Sequence, residues 1–332
     1  MFRVGFMASG RGRGTTESVA PDGMTDSANE IAGLKAEIAA KDRQIRLLTV
    51  SYGHTFDELC AAGKAGGGTP YSFDELLAIG ASGNAPSVPP CVFVHVPKVG
   101  GTTLNHILMK NYRWRVDSYG SNFFPRYYPD EFISLVQPPN DDDTRRPVFF
   151  TGHITLDNDI FRYMPVRYSA ITMLRDPVQR MISNYRFHSS LPASPHYEPI
   201  KNGAGVLDYL DKFGDEILLQ HKMFAPRGGV AEALTNLESH ISIFGLQDRY
   251  DEFLSSLAVL LGLPDVSHRP LNRTVAAATA VPEADVARLR ERMADEIAFY
   301  QGAIALYEKR AAALRARGTA AGPHPWRDFY AA

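Results

Sequence analysis

From residue 91 onward the chain alternates short apolar runs with longer amphipathic ones: CVFVHV before TTLNHILMKNY, PVFFTGHI, YSAITML before PVQRMISNYRFHSS, and SIFGL before YDEFLSSLAVLLGL. A strand that is apolar along its whole length has two faces to bury, and an amphipathic helix has one. The arrangement that satisfies both is a central parallel sheet flanked by helices on each side, an α/β fold of three layers. With 332 residues, 45% of them apolar, the chain has material for such a core.

The flanks read differently. Residues 1–27 are rich in Gly, Ser, Thr and Arg with few large apolar groups, and are expected to be disordered. Within 28–60, Ile31, Leu34, Ile38, Ile45 and Leu48 recur at heptad spacing, with Lys41 interrupting the seam. This is a helical or short coiled-coil segment; packing on its own domain and homo-oligomerisation through it both stay open. Residues 61–90 hold AAGKAGGGTP and GASGNAPSVPP and read as a linker around a short helix near Phe73 to Ile79. The main domain is placed at 91–316 and is expected to end in one long helix from about Pro282 to Arg315. Val286, Leu289, Met293, Ile297, Tyr300, Ile304 and Tyr307 form the apolar seam of that helix, and 317–332 is a tail.

Charge and cysteine usage exclude several classes. A formal net charge of -2 leaves no overall basic field, so no nucleic-acid partner is expected and any anion site must be local. Cys60 and Cys91 stand in no metal or redox spacing, which fits a reducing compartment, and Cys91 reads as a small buried apolar residue. The start, MFRVGFMASGRGRG, has too short an apolar core for a signal peptide, and no run reaches the ~18 apolar residues of a membrane span. No transmembrane segment is therefore expected, and the expected location is cytoplasmic. No carboxylate or His/Cys cluster has ligand spacing, so no metal is expected.

The first strand runs into HVPKVGGTTL at 95–104. In parallel sheets ligands bind at the carboxyl ends of strands, where the next helix presents unpaired N–H groups and a positive dipole end. Gly100 and Gly101 let main-chain amides approach an oxyanion, Thr102 and Thr103 add hydroxyls, and Lys98 brings a mobile charge. A nucleotide-kinase loop would read GxxxxGK[ST], with lysine after the last glycine; here it comes before. Taken alone, the turn could equally be one that lets strand and helix pack closely.

A second unit, ITMLRDPVQRMISNYRF, shifts the balance. The strand ends in Arg175, Asp176 is a natural N-cap and Pro177 suits the first helical position. At ~100° per residue Val178, Met181, Ile182 and Tyr185 share one face, and Arg180 and Ser183 lie opposite, in line with the cap. Arg175 and Ser183 can thus hold a second phosphate near the first, whereas Arg180 by itself reads as an ordinary surface residue.

Together HVPKVGGTT and RDPVQRMISNY resemble the two nucleotide-binding signatures of the sulfotransferases that use 3′-phosphoadenosine 5′-phosphosulfate (PAPS). The likeness is to the carbohydrate branch, which includes the heparan sulfate 2-O-sulfotransferases and bacterial relatives. IFGLQDRYDEFLSSLAVLLGL and AFYQGAIALYEKR resemble later blocks of the family, so the likeness runs from about 91 to 310. It implies a P-loop-like fold in which Lys98, Gly100, Gly101, Thr102 and Thr103 take the 5′-phosphosulfate and Arg175 and Ser183 the 3′-phosphate. Val99 stands where threonine is commoner, which removes a hydroxyl but no main-chain donor. In HRPLNRT, Arg273 is implied to close over the adenine or 3′-phosphate, a solvated linker being the alternative. The acceptor implied is a hydroxyl of a glycan or glycolipid.

Transfer to an alcohol also needs somewhere for the proton to go. His153 follows the strand PVFFTG and should emerge at the same edge as the two turns; an ordinary pKa of about 6.5 suits a base near neutrality. The family's catalytic histidine occupies such a GH, and TGHI matches it; a histidine bonded only to main chain is the alternative. Asp157 or Asp159 could orient an acceptor or replace His153, while His95 and His106 are expected to face the core or nearby main chain. An ATP-dependent kinase on a related sheet and a non-catalytic coiled-coil scaffold are the competing functions. The segments 113–147 and 187–240 are the expected lining of the acceptor cleft.

Overall fold

Each apolar run becomes a strand of one parallel sheet. A computed structural model describes residues 67–81, 89–112, 114–117, 148–214, 219–268 and 281–316. Within them β1 (Cys91–Val94), β2 (Trp114–Asp117), β3 (Val148–Gly152), β4 (Ser169–Leu174) and β5 (Ile243–Leu246) lie in the order β2-β3-β1-β4-β5. All pairings are parallel. Every residue of β1, β3, β4 and β5 is buried, as continuous apolar strands in a doubly covered sheet must be. The strand β2 was not legible in the sequence: WRVD is half-exposed along its length, and an edge strand needs no continuous apolar run.

The helices are α1 (Phe73–Ala81), α2 (Gly101–Asn111), α3 (Asp159–Tyr163), α4 (Pro177–Ser189), α5 (Tyr197–Lys201), α6 (Val206–Phe213), α7 (Gln220–Phe224), α8 (Val230–His240), α9 (Tyr250–Leu261), α10 (Glu283–Arg292) and α11 (Ala294–Ala316). The main core joins the sheet to α1, α2, α8, α9 and part of α11. A second cluster forms where Val178, Met181, Ile182 and Tyr185 of α4 meet Tyr209 and Phe213 of α6 and Leu289 of α10. The apolar face read on α4 is thus the buried one. Cys91 is fully buried and unpaired, and burial raises its thiol pKa.

Two expectations change. The long helix expected over Pro282 to Arg315 is two helices that part at Met293, so a single seam cannot run through both. Leu289 and Met293 join the second cluster, whereas α11 buries Glu296, Phe299, Tyr300, Ala303, Tyr307 and Arg310 and leaves Ile304 exposed. Part of the segment read as linker also packs on the domain. The Gly68 N–H donates to the Met164 carbonyl and the Tyr71 N–H to that of Tyr168, while Phe73, Leu76 and Leu77 enter the main core. A Cβ at Gly68 would lie 2.1 Å from the Val166 carbonyl oxygen, so glycine there serves a close main-chain approach rather than flexibility.

The disorder expected over 1–27, the coiled-coil helix of 28–60, Cys60, Arg273 and the tail 317–332 lie outside the described residues, as does most of 113–147. Among the described residues no helix is long and apolar enough to cross a membrane.

Candidate active site

Register sets the rim of the sheet. Val94, the last residue of β1, pairs with Gly152, the last of β3, and with Thr172 near the end of β4. The turns that follow these three adjacent strands therefore open on one edge, and they carry Lys98, His153 and Arg175. The chain leaves β1 for β2 on one side and leaves β4 for β5 on the other, so the divergence falls between the turns of Lys98 and Arg175. Such a divergence is where doubly covered parallel sheets form a binding crevice.

The first turn is tightly constrained. Lys98 has φ 66°, the only positive φ outside glycine among the described residues. Holding a lysine there costs roughly 1–2 kcal/mol, which the surrounding contacts must offset. Gly100, the N-cap of α2, has φ 92°, and its carbonyl accepts from the Thr103 and Leu104 amides. The amides of Gly101 and Thr102 then belong to the first helical turn, which has no carbonyls behind it.

Gly101 is needed for another reason: a Cβ would lie 2.0 Å from His95 Nε2. The His95 ring cannot easily yield, being buried and stacked on Phe93 at 5.0 Å. Thr102 is exposed, Thr103 and Val99 are buried, and the Val99 side chain belongs to the main core, so a hydroxyl is not called for at that position.

The second turn ties onto the first. Asp176 caps α4 by accepting from the Gln179 amide at 2.8 Å, and Pro177 opens the helix. Arg175 Nη1 donates to the Lys98 carbonyl at 3.1 Å. Its Nε is buried with no hydrogen-bond partner among the described residues. Burial and the Arg175 charge push the Lys98 ammonium down to about 8. Neither Lys98 nor Arg175 forms an ion pair with a carboxylate among the described residues, so this corner holds two positive charges to spare.

On α4 the stripe opposite the apolar face runs Asp176, Arg180, Ser183, Phe187. Phe187 places its ring 3.8 Å below Lys98 Nζ, so the stripe faces the first turn, and half-buried Ser183 lies on it one helical turn before Phe187. The surface reading of Arg180 is corrected: it is 0% exposed. α11 covers it at that point of the stripe, where Glu296 approaches the guanidinium to 3.8 Å.

His153 sits directly after β3. Its Nδ1–H donates to the His95 carbonyl at 2.6 Å, and the two rings lie 4.7 Å apart. With Nδ1 committed as donor, Nε2 is the atom at which the neutral ring can accept a proton. Burial lowers the His153 pKa below its ordinary value, against the opposing bond to the His95 carbonyl. Burial, with the nearby His153, pushes His95 down to about 3. Both rings are neutral at pH 7. His106 is exposed, its Nδ1 bonded to the Thr102 carbonyl at 2.9 Å. Asp157 lies on an exposed turn held by the Thr155 hydroxyl, and Asp159 is buried in the first turn of α3, after its N-cap Asn158.

Two neighbours of the site were missed. Phe187 could have been found, since it lies four residues beyond Ser183 on one helical face. Gln220 could not: it bonds both main-chain groups of Arg175 from 45 residues away.

Residues 89–193 match the model of the sulfotransferase family. Among solved structures, a sulfotransferase from Alicyclobacillus acidocaldarius is similar at 18% identity over 65% of this chain and 95% of that one, with a TM-score of 0.39. A mouse sulfotransferase complexed with PAP is similar at 14% identity over 65% of this chain and 69% of that one, with a TM-score of 0.33. No curated protein sequence matches the chain. The matched residues 89–193 span the turn of Lys98, the strand before His153 and the turn of Arg175, so what the chain shares with the sulfotransferase family model is the stretch that builds this site.

Proposed function

We propose that the protein transfers a sulfuryl group from PAPS to a hydroxyl of a glycan or glycolipid, in line, with His153 as general base. The observation that carries this reading is the pair of adjoining cationic turns: among the described residues Lys98 and Arg175 have no carboxylate partner, and a buried Nε of Arg175 has no acceptor. Unsatisfied buried donors beside unbalanced charge suit a polyanion. The amides of Gly101 and Thr102 with Lys98 would take the 5′-phosphosulfate, and Arg175 with Ser183 the 3′-phosphate.

The acceptor oxygen attacks sulfur as the bond from sulfur to the bridging oxygen of the 5′-phosphate breaks. The acceptor proton passes to His153 Nε2, and the ammonium of Lys98 stabilises the charge that grows on the bridging oxygen. The test has two parts. Calorimetry should show tighter binding of adenosine 3′,5′-bisphosphate than of ATP, and incubation with ³⁵S-labelled PAPS and a glycan and lipid panel should label an acceptor. Preference for ATP would overturn the donor assignment.

A further inference from the structure

Behind the two turns runs a buried polar chain that the reaction above does not use. β4 ends at Leu174, so the main chain of Arg175 has left the strand pairing. Gln220, 0% exposed, takes over: its Oε1 accepts from the Arg175 N–H and its Nε2 donates to the Arg175 carbonyl, both at 2.9 Å. One side chain thereby holds both main-chain groups of the residue whose guanidinium reaches Lys98.

Gln220 is in turn fixed from α11. Its own N–H donates to Glu296 Oε2 at 3.0 Å, and the N–H and Nδ1–H of His221 donate to Oε1 at 2.9 and 2.5 Å. Glu296 is 2% exposed, with Arg180 3.8 Å away on its other side. Burial alone would raise this carboxyl, but the His221 bonds and the Arg180 charge outweigh it and hold it ionised. A buried carboxylate with this many donors is immobile, and so is what hangs from it.

We infer that Gln220 is a positioning residue for the donor's 3′-phosphate, held in place by Glu296. Affinity for that phosphate is then set by a side chain that does not touch it. The inference rests on the reading of Arg175 given under Proposed function. It explains why a glutamine is spent, fully buried, on the main chain of a single residue: two bonds fix the direction in which the Arg175 side chain leaves the rim.

The test compares adenosine 3′,5′-bisphosphate with adenosine 5′-monophosphate by calorimetry on the full chain, wild type, Gln220→Leu and Glu296→Gln, with thermal unfolding measured alongside. Wild type should prefer the bisphosphate. In Gln220→Leu the bisphosphate should bind about tenfold or more weakly while the monophosphate changes less than about twofold. Glu296→Gln should shift the same ratio in the same direction, and it serves as the second variant should Gln220→Leu not fold. Equal loss of both ligands would mark the network as merely structural and overturn the inference, as would an unchanged ratio. A wild type with no preference would instead overturn the reading of Arg175, and this inference with it.

Discussion

Arg175 donates through Nη1 to the main-chain carbonyl of Lys98 at 3.1 Å, across 77 residues of sequence. The contact joins the two turns that face the crevice, and it holds a carbonyl belonging to the one non-glycine residue with a left-handed main chain among the described residues. Support of the left-handed turn therefore falls to the same guanidinium that is proposed to recognise the anion.

Arg175→Ala should remove both. Losing a charge-assisted hydrogen bond at a partly buried site costs roughly 2–3 kcal/mol, on the order of a hundredfold in affinity for adenosine 3′,5′-bisphosphate. Arg175→Lys restores the charge but not the planar fork that reaches both carbonyl and ligand, so it should recover only a small part of the loss. Calorimetric titration of the three proteins checks this, and full recovery by lysine would show that charge alone matters.

His153→Ala should separate binding from turnover. Its Nδ1 is committed to the His95 carbonyl and its neutral ring adds no charge to the cationic corner, so bisphosphate affinity should hold within about threefold. Turnover should fall by roughly 10²–10⁴, the usual worth of a positioned base. A single-turnover assay with labelled PAPS reads the second quantity independently of product release.

The pH profile should be a bell. Base catalysis needs His153 neutral, and burial lowers its pKa, so the acid limb of kcat/KM should lie below the ordinary histidine value near 6.5. Leaving-group stabilisation needs Lys98 protonated, and burial beside Arg175 brings it to about 8, so activity should fall as pH rises through that value. Bound donor places anionic oxygens beside Lys98 and raises its pKa, so the alkaline limb of kcat should lie above that of kcat/KM. Initial rates at limiting and saturating PAPS test the displacement, and coincident alkaline limbs would remove Lys98 from the role.

Gly101→Ala should be severely disruptive, because its Cβ would overlap the His95 ring, which is stacked on Phe93 and cannot turn aside. A loss of about 2–4 kcal/mol is expected from overpacking and displacement of the turn. The double variant Gly101→Ala with His95→Ala should regain part of that stability by making room, a coupling that urea unfolding of both single variants and the double would measure. Gly100→Ala would make only an ordinary van der Waals contact with Tyr250, at 3.7 Å, and should cost only the roughly 1–2 kcal/mol of its left-handed main chain.

Much of this architecture is local in origin and so could be read without coordinates. The apolar continuity of CVFV and SAITML requires strands buried on both faces; the Asp176 cap, Pro177 and the spacing from Val178 to Tyr185 require a helix with a known inner face. A lysine, two glycines and an arginine at the ends of two such strands face the same rim because parallel strands put all their carboxyl ends on one side. Where the reading failed, a neighbour distant in sequence decided the outcome. Nothing around Arg180 announces that α11 will cover it, and nothing in the seam from Val286 to Tyr307 announces that its first part serves one core cluster and its later part another.

By itself, then, the sequence determined β1, β3, β4 and β5, the helices α2, α4 and α9, and the turns of Lys98, His153 and Arg175, because periodicity, capping and backbone restriction act within a few residues. Only the tertiary structure decided that Gln220 would take both main-chain groups of Arg175, that Glu296 would lie buried between Arg180 and His221, and that the His95 ring would make Gly101 indispensable. Those relations arise when packing brings together groups far apart along the chain, and a buried polar atom bonds to whatever partner packing sets beside it.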